Sequence, residues 1–375
     1  MGNGRLGNPT SNFEVEVPGF SGIGKADITI ASLSAFRWLT SVTGLVLFSL
    51  LVGVGCLTFG AQSLPLGVVL QILGTTFQAG GETPESAGSI ILLQVRLPRL
   101  ALAFLVGGAL AAVGVGLQAL LRNPLAEPYV LGISSGAAFG ATLGILLGVG
   151  GTVLGFSVLP VWAFLGGLLS ILVVYRISVT YRMLSVHTLL LAGVILNALF
   201  SALIMFAVSI ADPARAFQIM MWLMGTLSAP ESATLFWLGL FLGVGGVLLF
   251  WLARPLNVLT MGEETAKALG VEIERVKKLI FVVAALMTGA VVSIAGLIGF
   301  VGMVVPHTVR MIVGADHRLL LPSSALVGGT FLMVADTVAR TALSPTELPV
   351  GVVTALIGGP IFLYLLVKRR AGVAL

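Results

Sequence analysis

The residues of this chain most able to do chemistry are arginines and carboxylates in short groups: Arg96-Leu-Pro-Arg99, Asp336 with Arg340, and Glu263-Glu264 with Lys267. None of these sets pairs a nucleophile with a base. The three histidines, His187, His307 and His317, lack an i, i+4 partner and a clustered carboxylate, so a place at a helix end suits them better than a ligand or base role. One cysteine, Cys56, provides neither a disulfide framework nor a cysteine metal site. Gly19-Phe-Ser-Gly-Ile-Gly24-Lys25 fits the phosphate-loop pattern, yet Ala26 stands where a metal-binding hydroxyl belongs, and so short a leading segment cannot house a nucleotide fold. The chemistry that remains is recognition by charge. Asp336 and Arg340, four apart, can pair on one helix face, and a guanidinium holds a carboxylate better than an ammonium does.

These groups fall between long uncharged runs. The chain has 375 residues, 20 Lys and Arg, 15 Asp and Glu, and a mean hydropathy of +1.10, and a charge at the centre of a spanning helix costs roughly 2.5 to 3.5 kcal/mol. This is an all-α integral membrane protein. A span needs about 20 apolar residues, which predicts ten: Trp38 to Gly60, Leu97 to Leu121, Leu131 to Val149, Val153 to Tyr175, Leu189 to Ala211, Leu235 to Ala253, Leu279 to Ile298, Val301 to Val313, Leu319 to Val338 and Pro349 to Val367. The eighth is short, and a glycine-broken turn near Gly296 to Gly299 must separate it from the seventh. Residues 1–37 and 368–375 form tails, 38–367 the membrane domain, and 254–278 an inner loop.

The positive-inside rule supports ten spans with both termini cytoplasmic. Sixteen basic residues then lie inside, and only Arg96, Arg99, Arg215 and Arg340 lie outside. Making Leu64 to Phe77 an eleventh span would leave seven inside against thirteen outside, and fourteen residues are too few to cross. A pI of 9.7 therefore describes a cytoplasmic rim facing anionic lipid, with no basic stripe suited to nucleic acid. The first 36 residues lack a signal-peptide core, so the first span is an uncleaved anchor. Forty-eight glycines imply close helix contacts.

Proton relays need ionisable residues inside the spans, and these spans carry essentially none, so energy for transport must come from another subunit. In the inner loop, Glu263 and Glu264 favour the start of a short helix, Ala266, Lys267 and Leu269 continue it, and Gly270 stops it. It serves either as an attachment point or as a plain connector. The outer arginines either meet an acidic partner or contact lipid headgroups.

Together, Arg96-Leu-Pro-Arg99, Asn123-Pro-Leu-Ala-Glu-Pro128, Leu131-Gly-Ile-Ser-Ser-Gly136, Leu189-Leu-Leu-Ala-Gly-Val194, Trp222-Leu-Met-Gly225, Gly299-Phe-Val-Gly302 with Pro306-His307, Asp316-His317-Arg318 and Glu347-Leu-Pro-Val-Gly351 resemble the permease subunit of type II ABC importers for iron-siderophores, haem and cobalamin, from about residue 40 to the C-terminus. The resemblance implies a homodimer in the bacterial inner membrane, two cytoplasmic ATPases that use ATP and Mg²⁺, and an extracytoplasmic binding protein, with no cofactor on this chain. It implies docking of the binding protein on Arg96, Arg99 and Arg340, and an ATPase coupling helix over Gly262 to Gly270. It implies a pathway along the fifth and tenth spans, with Asn197 and Thr354, and along a short outer helix from Arg215 to Gly225 bearing Met220, Met221 and Met224. A gate would stand at Ser185, Val186 and His187, where the small hydroxyl pair of cobalamin permeases is absent. Thioethers suit a soft lining, and plain packing suits them as well.

Gly107 to Gly114 and Gly289 to Gly296 share an interval, followed by Ser134-Ser135 and Ser323-Ser324, a weak sign of an inverted repeat. The expected function is the import of a metal chelate by an ATP-driven permease. The rival class is an ion-coupled secondary transporter or channel.

Overall fold

The computed structural model describes residues 35–60, 62–78, 86–149, 151–153, 156–181 and 183–370. The Gly19 to Lys25 motif, with Arg5, and Arg182 lie outside them.

The chain is a succession of helices. α1 (Ala35–Thr58) and α2 (Leu66–Gln78) precede α3 (Ala87–Ile90), which runs through a π-wound turn at Ile91–Arg96 into α4 (Leu97–Leu120). A 3₁₀ turn at Pro128–Leu131 leads to α5 (Ile133–Leu146), a small hairpin of β1 (Thr152–Val153) and β2 (Phe156–Ser157), and α6 (Val158–Ser178). A second hairpin, β3 (Val179–Thr180) with β4 (Met183–Leu184), opens into α7 (Val186–Ile210), followed by α8 (Pro213–Leu223) and α9 (Ser232–Trp251). Two short helices, α10 (Ala253–Thr260) and α11 (Glu263–Ala268), precede α12 (Ile273–Ala295), α13 (Val301–Val313), α14 (His317–Thr341) and α15 (Val350–Arg370).

Each of the ten expected spans overlaps a helix. Among the described residues, seven helices are long and apolar enough to cross a membrane, while α5, α13 and the apolar part of α15 are shorter. Leu64 to Phe77 is also largely helical, as α2, and its 13 residues rise only about 20 Å. The second helix starts ten residues before the expected Leu97. Sequence charge suggested a boundary at Arg96, but the helix carries that charge inward, and Pro98, which has no N–H to donate, lies two residues past the π-wound turn.

The core is built around α4, packed along α14, with α12, α13 and α9 beside it. Glycine makes this contact possible: a Cβ on Gly107 would overlap the Gly328 carbonyl, and one on Gly114 would overlap the Gly302 carbonyl. The packing of α4 on α13 and α14 recurs as that of α12 on α5 and α6, but the glycine contacts do not, since Gly289 meets only the Phe164 ring and Gly296 the Trp222 carbonyl. The serine pairs do not correspond, since Ser134 opens α5 whereas Ser323 lies well inside α14. The expected break between the seventh and eighth spans falls at Gly296 and Phe300, both at φ 68°, and the Glu127 carboxylate accepts the Phe300 N–H at 3.3 Å, where the start of α13 favours negative charge.

Candidate functional site: two charged ends and a gate loop

At one end of the bundle, Arg96 and Arg99 stand a turn apart beside α14. Arg96 is buried and donates to the Leu57 carbonyl at 2.7 Å and to the carbonyls of Thr58 and Gln62, so the chain leaving α1 folds over it. Arg99 donates from Nε and Nη2 to Asp336 at 3.0 to 3.1 Å and from Nη1 to Glu347 at 2.8 Å. Arg340 forms the expected pair with Asp336, Nε to Oδ2 at 3.1 Å, and donates also to the Thr337 hydroxyl. Asp336 is wholly buried between two guanidiniums, the paired arrangement that a carboxylate at this depth requires.

The three arginines expected to dock a partner all lie at this end. Arg96 and Arg340 are buried, at 5 and 8 % exposure, and all three are held by groups of their own chain. The carboxylates that hold Arg99 and Arg340, Asp336 and Glu347, belong to this chain. Arg215, the fourth outer arginine, donates to the Leu146 carbonyl at 2.7 Å and pairs with Asp212, the N-cap of α8.

At the other end, α11 begins and stops as its sequence implies. Glu263 and Glu264 occupy its first turn, Leu269 caps it, and Gly270 turns away at φ 78°. Ala266 is buried and its N–H bonds the Gly262 carbonyl, while Leu269 is exposed. Lys267 pairs with Glu264 at 3.4 Å. Glu263 instead reaches Lys277 of α12 at 2.8 Å and Arg122 at 3.5 Å. The Lys277 ammonium bonded to it holds the Glu263 carboxyl below its ordinary value; burial opposes this, and the charges of Lys277, Arg122 and Lys267 reinforce it.

Nearby, Asp316 caps α14 and binds Arg318 at 2.6 Å, and it accepts from Asn257 of α10 at 2.8 Å. Burial pushes its carboxyl up, but the Arg318 and Asn257 hydrogen bonds outweigh this and bring it down to about 2. His317, the next residue, is buried with Nδ1 2.7 Å from the Asn257 amide oxygen, a helix-start role of the kind expected of it.

The expected pathway residues divide. Ser185 caps α7, accepting the Thr188 N–H at 3.3 Å and the Thr188 hydroxyl at 2.8 Å, with Val186 half-buried and His187 exposed. Met220 and Met224 on and just after α8 are exposed and Met221 half-buried. Met224 lines an open cavity of about 370 Å³ with Leu223, Leu297, Gly351 and Leu356, between α8 and the start of α15. Two others make hydrogen bonds within this chain. The Asn197 amide donates to the Tyr129 carbonyl at 2.9 Å and accepts from Ser135 at 2.5 Å, and Thr354 is buried, its hydroxyl bonded to the Gly351 carbonyl of its own helix.

Sequence reasoning also missed Lys277, Glu274 and Arg122. Their only signal is charge at the entry of α12 and the exit of α4, next to an inner loop that already carries several charges.

The chain is similar to known proteins along most of its length. The model of the FecCD transport family matches residues 36–368. A cobalamin import system permease protein, BtuC of Halobacterium salinarum, is 46 % identical over 288 residues, covering 76 % of each chain. The hemin transport system permease protein HmuU of Yersinia pestis is 41 % identical over 288 residues, covering 75 % of this chain and 84 % of its own. A solved structure of a metal-chelate type ABC transporter in an inward-facing conformation superposes with a TM-score of 0.74 at 34 % identity, covering 88 % of this chain and 99 % of that one.

Proposed function

Because the chain belongs to the FecCD transport family, we propose that it is the membrane permease of an ATP-driven importer that brings a metal chelate, of the iron-siderophore, haem or cobalamin kind, from a binding protein into the cytoplasm. The observation that carries this reading is α11: a six-residue helix lies outside the long apolar helices, its first carboxylate tied to Lys277 of α12 and to Arg122, two residues past the end of α4. A separate ATPase seated there would push on two core helices at once. The Arg99 end would receive the binding protein, and the second copy of this chain would close a pathway along α7, α8 and α15.

The reading is tested by reconstituting the permease with its ATPase and binding protein and offering cyanocobalamin, haemin and a ferric hydroxamate separately. One of them should accumulate only with ATP inside the vesicle. Uptake by this chain alone, driven by a proton gradient, would overturn the reading in favour of a secondary transporter.

A further inference from the structure

We propose that Lys277 is the positioning residue that links the ATPase-facing helix to the gate loop in front of α7, a role that rests on the importer reading. Its Nζ lies 2.8 Å from Glu263 of α11 and 3.3 Å from Glu274, one turn before it on α12. Glu274 in turn uses its other oxygen, accepting the Leu184 backbone N–H at 2.6 Å. Leu184 is the buried end of the β3–β4 hairpin, and the next residue, Ser185, caps α7. The route from α11 to the start of α7 therefore consists of three side-chain contacts, all within hydrogen-bond or ion-pair reach.

The burial of Lys277 gives this route its stiffness. The residue is 4 % exposed, so its ammonium has little access to water and depends on both carboxylates for compensation. An exposed pair such as Lys267 with Glu264 can part at small loss, because water replaces the partner. Lys277 cannot leave both carboxylates without stranding its buried charge, and losing one leaves the other as its single compensation. A displacement of Glu263 is thus followed by Lys277 and passed to Glu274, which holds the hairpin by one short hydrogen bond. Arg122, which shares Glu263 from the exposed side, restrains where that carboxylate can move.

The test uses the complete transporter in vesicles, with cysteine-free partner subunits and with Cys56→Ala and Met183→Cys in this chain, so that the exposed hairpin position alone carries a thiol. Three quantities are read: ATP hydrolysis, uptake of whichever of cyanocobalamin, haemin or the ferric hydroxamate the wild type accumulates, and the rate of maleimide labelling at position 183 with and without ATP and vanadate. Lys277→Met should keep hydrolysis, lower uptake per ATP at least tenfold, and abolish the nucleotide-dependent change in labelling rate. Lys277→Arg should preserve all three. Glu274→Gln still accepts the Leu184 N–H but loses the ion pair; it should show the same defect, and the double variant should be no worse than either single.

Normal uptake per ATP with a normal labelling change in Lys277→Met would overturn the proposal, as would additive defects in the double variant. Should Lys277→Met fail to insert, wild-type behaviour of Glu274→Gln would be equally fatal. A wild type that shows no ATP-driven uptake would sink the importer reading and this role together, whereas a wild type that imports beside an unaffected Lys277→Met would sink this role alone.

Discussion

Arg99 gives one edge of its guanidinium to the buried Asp336 and the other to Glu347, whose side chain is 55 % exposed. Under the proposed docking, a carboxylate of a binding protein would meet an arginine already occupied and would have to displace Glu347. Glu347→Gln should tighten docking severalfold, and Arg99→Gln should weaken it at least tenfold and flatten its salt dependence, both measured by equilibrium binding of the partner to the permease in nanodiscs. Unchanged affinity in both variants would leave Arg99 a purely internal residue. Asp316 supports a pH prediction at the opposite end. Its folded value of about 2 lies below its unfolded value, so its contribution is complete above about pH 4 and disappears as pH falls toward 2. Asp316→Ala should lower stability by about 0.5 to 2 kcal/mol at neutral pH through the lost cap, and the gap in thermal midpoint between it and the wild type should narrow below pH 4. The Asp336–Arg340 pair was legible because it is local. The bond from Arg99 to Asp336 spans 237 positions, and no local pattern announces such a partner.

Among the elements, the glycine contacts of α4 determine how closely α13 and α14 approach. Gly114→Ala should cost about 1 to 3 kcal/mol by overpacking against the Gly302 carbonyl, whereas Gly243→Ala, with open space around it on α9, should be neutral or slightly stabilising. Thermal unfolding of the two variants in one detergent checks this, and equal midpoints would mean that the helices separate without loss. The apolar runs revealed where the helices are, and the turn residues Gly270 and Gly296 revealed where two of them end. The start of the second helix was not legible, because a charge that usually marks the water boundary is here satisfied by three backbone carbonyls. What Asn197 and Thr354 bond was not legible for a related reason: a polar side chain in a span can line a route or bond the backbone, and residue type does not distinguish the two.

Across the whole molecule, hydropathy reveals membrane residence but not which helices lie inside the protein. The most apolar window of α1 has a mean hydropathy of 2.0 and is 17 % buried, while that of the α3–α4 helix has 2.3 and is 83 % buried. Small residues, not apolar character, separate the two. The faces of α7 and α15 expose Leu191, Ile195, Leu199, Leu356, Leu363 and Tyr364, a surface suited to lipid or to a second copy. Light scattering in detergent should give the mass of two copies of this chain, and a single-copy mass would assign those faces to lipid. The central position of α4 also has a consequence for biogenesis. At roughly 5 to 20 residues per second, the ribosome needs about 10 to 40 s after making Gly114 to reach Gly302. During that interval α4 stands in the bilayer before its permanent neighbours exist, and its glycine-lined side faces acyl chains or the insertion machinery. A helix destined for the centre must therefore also be acceptable as a solitary span, which accounts for the absence of any charge along its whole length beyond Arg99.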